Sequence, residues 1–321
     1  MGQALQAEDV PSLKETVVTR CSADQDCQRP GLKGFCQNPG QPNASCVFKE
    51  LPAVSLSVIV PDDCRACNSQ PVIERLKNLL SGLTVRTLST ASPEAKERIR
   101  TFKVEMLPAY ILGKEAAADE NFSQINQMFD HSGDFYYLRP EFSGISYFWG
   151  REHKPNHLDL FFGITHHDSV GLLKIAREIL SEPDRKVSLD LQLVAKQDAE
   201  TKEFISPGGQ REVNEGILFA CVDKYAPQKS WDYLECRVAD PASLWWQDCL
   251  AQNKIDAKKV ETCARGQEGR ELFAAKIKLA QELNIFYPSL FLLDNVEIFG
   301  VTPDAGKQEV LKVIHQKKDA Q

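Results

Sequence analysis

The sequence lacks the features of a membrane-spanning or nucleic-acid-binding protein. None of its apolar runs approaches the roughly 18 residues that a bilayer-spanning helix needs. Positive charge is not in excess, since 38 Lys and Arg residues stand against 45 Asp and Glu residues, for a formal net charge of -7. No basic run is interleaved with aromatic residues. We therefore expect neither a membrane span nor a nucleic acid partner.

The opening residues MGQALQAEDV show neither the basic segment nor the apolar segment that is typical of a signal peptide. Cysteine, in contrast, is abundant: the 321 residues include 10 cysteines in three groups. Such a density is unusual in a reducing compartment and common in an oxidising one. We therefore expect a periplasmic or secreted protein whose signal peptide has been removed. The length is sufficient for two domains.

The first cysteine group follows a tail of residues 1–20 and occupies a Cys-rich segment, residues 21–50. This segment is rich in Gly, Pro, Asn and Gln, so it cannot bury a core of its own and needs cross-links. We expect two disulfides among Cys21, Cys27, Cys36 and Cys46, and the sequence leaves all three possible pairings open. A zinc site is the alternative, although neither a CxxC spacing nor a nearby histidine supports it.

Residues 51–150 alternate between strand-like and helix-like patterns around a CxxC motif. The apolar, β-branched run VSLSVIV predicts a buried strand, and PDDCRACNSQ follows it with Cys64 and Cys67. Later segments predict a helix, a strand, a second helix with a Ser cap and an initial Pro, and a proline-led strand. Their sequences are VIERLKNLL, LTVRTLST, SPEAKERIRTF and MLPAYILG.

This order, from Val54 to about Phe129, resembles the thioredoxin superfamily. The segment MLPAYILG is similar to the cis-proline strand of the bacterial disulfide-bond (Dsb) oxidoreductases. The resemblance implies a thioredoxin-like domain with a redox-active CxxC. It also implies a cis bond before Pro108, in a loop that lies beside the CxxC and offers backbone hydrogen bonds to an extended substrate.

Residues 151–321 repeat the pattern with a long helical stretch, from about Gly209 to Leu283, inserted before the proline-led strand. The insertion resembles the gamma-interferon-inducible lysosomal thiol reductase family and the Dsb oxidoreductases. The matching stretches are ISPGGQREVNEGILFAC, DCLAQNKIDAKKVETCARGQEGRELFAAKIKLAQEL and YPSLFLLDN. The fold class predicted is therefore α/β, with two thioredoxin-like domains, the second carrying a helical insertion, after a small disulfide-rich segment.

The second domain departs from that family where the redox site should be. Its CxxC position holds His166, His167, Asp168 and Ser169. Ser206 and Val213 stand where the family signature has two further cysteines. Disulfide reduction is therefore not expected here, and this redox site is predicted to be vacant. The histidines have either a role in binding a metal or another ligand, or no role beyond that of a polar loop.

Cys64 and Cys67 are the residues predicted to carry chemistry. A CxxC at a helix start places the first sulfur against free N–H groups, which favours its thiolate, and the second sulfur one turn later. Cys64 is then the attacking thiol and Cys67 the resolving one. Arg65 should favour the thiolate, whereas Asp62 and Asp63 should oppose it.

Other side chains are predicted to support this site or to brace the insertion. Leu107, Arg65, Tyr287 and Pro288 are candidate substrate contacts, Pro108 belongs to the redox site, and Pro288 is expected to keep a cis bond. Two structural disulfides are expected in the insertion, among Cys221, Cys236, Cys249 and Cys263. We expect no cofactor and no metal.

The function that these features favour is an extracytoplasmic thiol–disulfide oxidoreductase that acts on protein thiols or disulfides together with a redox partner. One alternative is a non-enzymatic binding or adaptor protein in which the CxxC is a permanent structural disulfide. Another is a zinc site or metal chaperone that uses Cys64 and Cys67. Its further ligands would come from His166 and His167 or from the loosely placed His131, His153 and His157.

Overall fold

The computed structural model describes residues 21–29, 32–50, 53–80, 82–144, 146–182, 187–302, 304 and 306–315. The predicted tail, residues 1–20, lies outside the described residues. In the Cys-rich segment, β1 (Leu32–Gln37) and β2 (Ser45–Glu50) form an antiparallel ladder. Disulfides join Cys21 to Cys36 and Cys27 to Cys46.

The first half of the chain, residues 51–150, builds a five-stranded sheet with two helices of ten residues each. Its elements are β3 (Val54–Val60), α1 (Gln70–Leu79), β4 (Leu83–Ser89), α2 (Pro93–Phe102), β5 (Met106–Leu107), β6 (Ala109–Gly113), α3 (Phe122–Ile125), β7 (Phe129–Ser132), β8 (Phe135–Leu138), α4 (Pro140–Ser143) and β9 (Tyr147–Phe148). The strand order is β4-β3-β6-β8-β7. Strands β3 and β4 are parallel, and β6 is antiparallel to β3.

Helix α2 begins where its sequence predicts. Helix α1 begins after the CxxC, whereas the sequence predicted that the CxxC lies at the start of a helix. Ser92 caps α2 by accepting the Ala95 N–H at 3.2 Å, and Pro93 is its first residue. The prediction that Cys64 starts a helix is wrong, because α1 begins at Gln70. The reason is Pro71: it has no N–H to donate to the Cys67 carbonyl, and its ring clashes with the carbonyl four residues earlier.

The chain changes sheets at Pro108. The Leu107–Pro108 bond is cis. On one side of it, β6 enters the middle of the first sheet. On the other side, β5 pairs with β9, and β9 pairs with a strand of the second half. The proline-led segment is therefore two short strands in two different sheets rather than one strand.

The second half, residues 151–321, contributes most of a six-stranded sheet. Its elements are β10 (His157–Phe162), α5 (Ser169–Leu180), β11 (Ser188–Leu193), β12 (Lys196–Gln197), β13 (Phe204–Ile205), α6 (Gly209–Tyr225), α7 (Ser230–Ala239), α8 (Trp246–Gln252), α9 (Ala257–Arg265), α10 (Gln267–Glu282), β14 (Leu290–Leu293), β15 (Glu297–Gly300) and α11 (Gly306–His315). The strand order is β11-β10-β14-β15-β9-β5. Strands β10 and β11 are parallel, and β14 is antiparallel to β10.

The insertion between β13 and β14 consists of helices α6 to α10 and is cross-linked twice. Disulfides join Cys221 on α6 to Cys263 on α9, and Cys236 on α7 to Cys249 on α8. The core of the second half combines the sheet with this insertion, since Leu160 on β10 and Cys221 belong to one buried cluster. Within the part of the chain that the structure describes, no helix is long and apolar enough to cross a membrane.

Candidate functional site

The Cys64–Cys67 disulfide lies in the CxxC loop, which we define as residues 61–69 between β3 and α1. Both cysteines are partly exposed, whereas each of the other four disulfides has at least one buried cysteine. Both pack against a buried cluster that contains Leu107 and Ala109, the neighbours of Pro108. The structure therefore brings the CxxC and the cis-proline segment together.

The backbone of the CxxC loop is bound by Glu297, the first residue of β15. One carboxylate oxygen of Glu297, Oε2, accepts the Arg65 N–H at 2.5 Å and the Ala66 N–H at 3.1 Å. The side chain of Glu297 is only 1% exposed. Its burial raises its pKa above the ordinary value, although the hydrogen bonds and the charge of Arg65 act in the opposite direction.

Arg65 binds the second half rather than solvent. Its guanidinium forms an ion pair with Asp294, and its Nε lies 3.3 Å from Oε1 of Glu297. A third contact is a hydrogen bond from Nη1 to the carbonyl oxygen of Ile314 at 3.3 Å. With an exposed fraction of 11% and two carboxylate partners, this side chain has no free guanidinium to offer a substrate. The prediction of a substrate contact at Arg65 is therefore corrected to a contact between the two halves.

A tight turn places Asp294 and Glu297 at this position. Asp294 and Asn295 connect β14 to β15 with φ values of +55° and +67°, which Asp and Asn tolerate better than most residues. The Asp294 carboxylate also accepts the Asn156 N–H at 2.8 Å. We call Asp294 and Glu297 together the acidic clamp. It fixes the CxxC loop of the first half to the hairpin of the second half.

The backbone edge at Leu107 is already paired. Leu107 is fully buried and lies opposite Tyr147 in the β5–β9 ladder, and its carbonyl oxygen accepts the Ser146 N–H at 3.1 Å. Trp149 donates its N–H to the Glu105 carbonyl at 2.8 Å. An extended substrate cannot use the same groups, so the prediction that Leu107 lines an open substrate site is wrong for this conformation.

Tyr147 and His153 complete the polar surroundings of the loop. The Tyr147 hydroxyl lies 3.0 Å from Nε2 of His153, which is 3.5 Å from an Asp63 carboxylate oxygen. Burial raises the pKa of Tyr147, and the negative charges of Asp63, Glu297 and Asp294 raise it further. The phenol therefore stays protonated across the physiological range.

The loop between β10 and α5 corresponds in position to the CxxC loop but contains no cysteine. His166, His167 and Asp168 immediately precede α5, and the buried Ser169 begins it. Glu212 on α6 binds the N–H groups of Ile164 and Thr165, the latter at 2.8 Å. A buried carboxylate thus holds this loop as Glu297 holds the CxxC loop. Beside it lies a cavity of about 260 Å³.

Pro288 lines this cavity, whereas Tyr287 is 77% exposed. The expected cis bond at Pro288 is wrong, because the cis peptide bond at Leu107–Pro108 is the single one recorded among the described residues. Substrate contacts at Tyr287 and Pro288 stay predictions.

Metal ligands do not gather around the CxxC in the described ranges. The groups of three potential ligands are Cys21, Cys27 and Cys46, which are closed in disulfides, His157 with Asp159 and Asp190, and His166 with His167 and Asp168. None includes Cys64 or Cys67. His131 stacks on Tyr136 instead. The zinc and chaperone alternatives that use both CxxC sulfurs therefore have no ligand set here.

In both halves the first core strand lies between the second, to which it is parallel, and the third, to which it is antiparallel; the orders are β4-β3-β6 and β11-β10-β14. The fold is of the thioredoxin type. The predicted fold class is therefore confirmed, while the exact domain boundaries stay predictions, since β5 and β9 of the first half belong to the second sheet.

Solved structures similar to this chain include two DsbA proteins and a putative protein disulfide isomerase. DsbA from Xylella fastidiosa is 12% identical, with 55% of this chain and 97% of that chain covered and a TM-score of 0.39. NmDsbA1 from N. meningitidis is 15% identical, with 55% and 95% covered and a TM-score of 0.37. A putative protein disulfide isomerase from Nitrosomonas europaea is 10% identical, with 51% and 100% covered and a TM-score of 0.38.

No family model matches the chain. The comparison with curated proteins also gives no match. The fold assignment therefore depends on the strand order and the connections described above.

Sequence reasoning missed the acidic clamp and Glu212. A signal for Glu297 was present, because a charged residue between Val296 and Ile298 in an apolar strand is seldom buried without a partner. Its partner could not be inferred, since Arg65 lies 232 residues away in the sequence.

Proposed function

We propose that this protein is a thiol–disulfide oxidoreductase that uses Cys64 and Cys67 to exchange disulfides with protein substrates outside the cytoplasm. The observation that carries the proposal is the position of the Cys64–Cys67 pair. It is the one disulfide of five in which neither cysteine is buried, and it lies against the residues that flank a cis-proline.

The proposed reaction is stepwise thiol–disulfide exchange. The Cys64 thiolate attacks one sulfur of a substrate disulfide, forms a mixed disulfide and releases the other sulfur as a thiolate. The Cys67 thiolate then attacks Cys64, which closes the intramolecular disulfide and releases the second substrate sulfur. The same steps in reverse oxidise a substrate dithiol. No metal or organic cofactor takes part in either direction.

The remaining disulfides support the proposed location. The Cys-rich segment is closed by two of them and the helical insertion by two more, and all ten cysteines of the chain are paired. A small segment such as residues 21–50, with few apolar residues, depends on its cross-links for stability. A reducing cytoplasm would open them, so we infer an oxidising compartment.

A non-enzymatic binding protein is the second candidate, and two observations favour it. The β5–β9 ladder occupies the backbone of Leu107, and the acidic clamp occupies the N–H groups of the CxxC loop. In that case the disulfide is a permanent cross-link, and the protein does not exchange electrons with thiols.

Single serine variants decide between the two candidates. Cys64→Ser removes the attacking sulfur, so we expect reduction of insulin by dithiothreitol to fall to the uncatalysed rate. Cys67→Ser removes the resolving sulfur, so mixed disulfides at Cys64 should accumulate and be visible by mass spectrometry.

The matched control is the double variant Cys236→Ser, Cys249→Ser, which removes a disulfide of the insertion without touching the CxxC loop. It should keep full activity if it folds, as judged by circular dichroism. Wild-type protein that does not accelerate insulin reduction, or a Cys64→Ser variant as active as wild type, contradicts the oxidoreductase proposal.

A further inference from the structure

A carboxylate from the far end of the chain is bonded to the dipeptide between the two cysteines. Oε2 of Glu297 accepts both N–H groups of that dipeptide, from Arg65 at 2.5 Å and from Ala66 at 3.1 Å. The side chain of Glu297 is 1% exposed, so this carboxylate is almost completely shielded from water. The positive ends of two peptide dipoles are therefore directed at a fixed carboxylate.

These donors matter for the chemistry of Cys64. Backbone N–H groups and helix N-termini next to a cysteine stabilise its thiolate and lower its pKa. Here α1 begins only at Gln70, beyond both cysteines, and the N–H groups of Arg65 and Ala66 are already bonded. Neither a helix that begins at the CxxC nor these two N–H groups are therefore available to stabilise a Cys64 thiolate.

The charged groups around Glu297 do not provide a substitute source of stabilisation for the Cys64 thiolate. The guanidinium of Arg65 is paired with Asp294 as well as with Glu297. Asp63 from the CxxC loop and Tyr147 from β9 also face this carboxylate, and neither carries positive charge. His153 lies further out, 3.5 Å from Asp63. The surroundings of the Cys64–Cys67 pair thus favour a neutral disulfide over a thiolate.

We propose that Glu297 is a positioning residue that makes the Cys64–Cys67 pair reducing, so that the dithiol form donates electrons to disulfide substrates. This inference rests on the proposed function and adds the direction of electron flow to it. A disulfide is a strong oxidant when its reduced form is stabilised. Glu297 does the opposite, because it withholds two donors from the thiolate and adds negative charge beside it.

Reduction of a substrate disulfide by the Cys64–Cys67 dithiol needs one external reductant to regenerate the dithiol. The Cys64–Cys67 dithiol loses two electrons and two protons as its S–S bond forms, and the substrate disulfide gains them as its S–S bond breaks. A dithiol reductant then restores the pair and becomes a disulfide itself.

Glu297→Gln tests this role, because the amide keeps the size of the side chain and removes its charge. Variant and wild type are equilibrated with glutathione buffers, and the reduced fraction of Cys64 and Cys67 is measured by alkylation and mass spectrometry. We expect the equilibrium constant to move at least tenfold toward the dithiol, a rise in potential of about 30 mV. The pKa of Cys64, taken from the pH dependence of its alkylation rate, should fall.

The matched control is Glu212→Gln, which removes the corresponding charge from a loop without cysteines. It should leave the potential and the Cys64 alkylation profile unchanged. Asp294→Asn frees Arg65 from one carboxylate and should change both quantities in the same direction by a smaller amount. If Glu297→Gln does not fold, Asp294→Asn decides the question.

An unchanged potential in a folded Glu297→Gln variant overturns the inference, as does an equal change in Glu212→Gln. Wild-type protein separates this failure from that of the proposed function. A folded wild-type pair that never exchanges with glutathione contradicts the proposed function. A pair that exchanges normally in wild type and identically in the variant contradicts only the role of Glu297.

Discussion

Buried carboxylates have the same structural task in both halves of the molecule. Glu297 binds two consecutive N–H groups of the CxxC loop, and Glu212 binds those of Ile164 and Thr165. Each side chain satisfies backbone donors that would otherwise be buried without partners, which is costly inside a protein. The loop after the first strand is thus stabilised by a carboxylate whether or not it contains cysteines.

The buried carboxylate of Asp159 on β10 links stability to pH. It is 2% exposed, accepts a hydrogen bond from Gln192 at 2.7 Å and lies 3.3 Å from Nε2 of His157. Burial raises its pKa above 3.8, so the folded state holds this proton to a higher pH than the unfolded chain does. Its contribution to stability is complete below pH 3.8 and is lost as the pH rises through the folded-state pKa.

We predict that Asp159→Asn reduces the pH dependence of the free energy of unfolding, because the amide stays neutral at every pH. A pKa difference of one unit between folded and unfolded states corresponds to about 1.4 kcal/mol. The free energy of unfolding, measured in urea from about pH 4 to about pH 8, should decrease less with rising pH in the variant than in wild type. Parallel profiles would show that Asp159 does not titrate differently in the two states.

Individual residues with local signals could be predicted from the sequence, and residues defined by distant contacts could not. Cys64, Cys67 and Pro108 stand in a recognisable order of strands and helices, and the structure brings them together. Arg65 was assigned to a substrate because its partners, Asp294 and Glu297, are separated from it by more than 200 residues. One sequence contains no information about which distant charges meet.

At the scale of elements, hydrophobic and capping patterns in the sequence predicted which segments form helices and strands. The exact ends of these elements depended on single residues. Strands β3 and β4 and helix α2 lie where hydrophobicity and capping place them. Helix α1 covers most of the predicted segment VIERLKNLL, but it begins at Gln70, and Pro71 prevents a regular helix from extending back to the CxxC. The division of the proline-led segment between two sheets could not be predicted, because β9 has only two residues.

The short strand β9 pairs with β5 and occupies the backbone of Leu107. We predict that Ser146→Pro weakens the β5–β9 ladder, because proline has no N–H to donate to the Leu107 carbonyl. Loss of one such hydrogen bond costs about 1 kcal/mol, or about a fivefold change in an equilibrium. The rate with an unfolded protein disulfide should therefore rise about fivefold relative to the rate with a small disulfide.

Ser146→Ala is the control for that experiment, since alanine keeps the N–H and removes only the hydroxyl. Its ratio of protein to small-molecule rates should equal that of wild type. A Ser146→Pro variant that folds normally but shows the wild-type ratio would indicate that substrates do not need the edge of Leu107.

At the scale of the whole molecule, the two halves meet at the candidate site. The acidic clamp binds Arg65, and β5 and β9 extend the second sheet. Val296 of the second half lies in the same buried cluster as Ile59 and Leu107 of the first. The Cys-rich segment is joined separately through Lys33 and Lys49, which both form ion pairs with Glu120. The resemblance of the sequence to the thioredoxin superfamily predicted two thioredoxin-like halves, but these contacts between them required the structure.

The measurement that examines the redox role of Cys64 and Cys67 most directly is a titration of the folded protein with dithiothreitol, followed by alkylation and mass mapping of all ten cysteines. Cys64 and Cys67 should become labelled together and close again on reoxidation, while the eight other cysteines stay unlabelled and circular dichroism stays native. Labelling of Cys64 and Cys67 only when the protein unfolds, or only together with the buried pairs, would contradict a redox function and leave a structural cross-link.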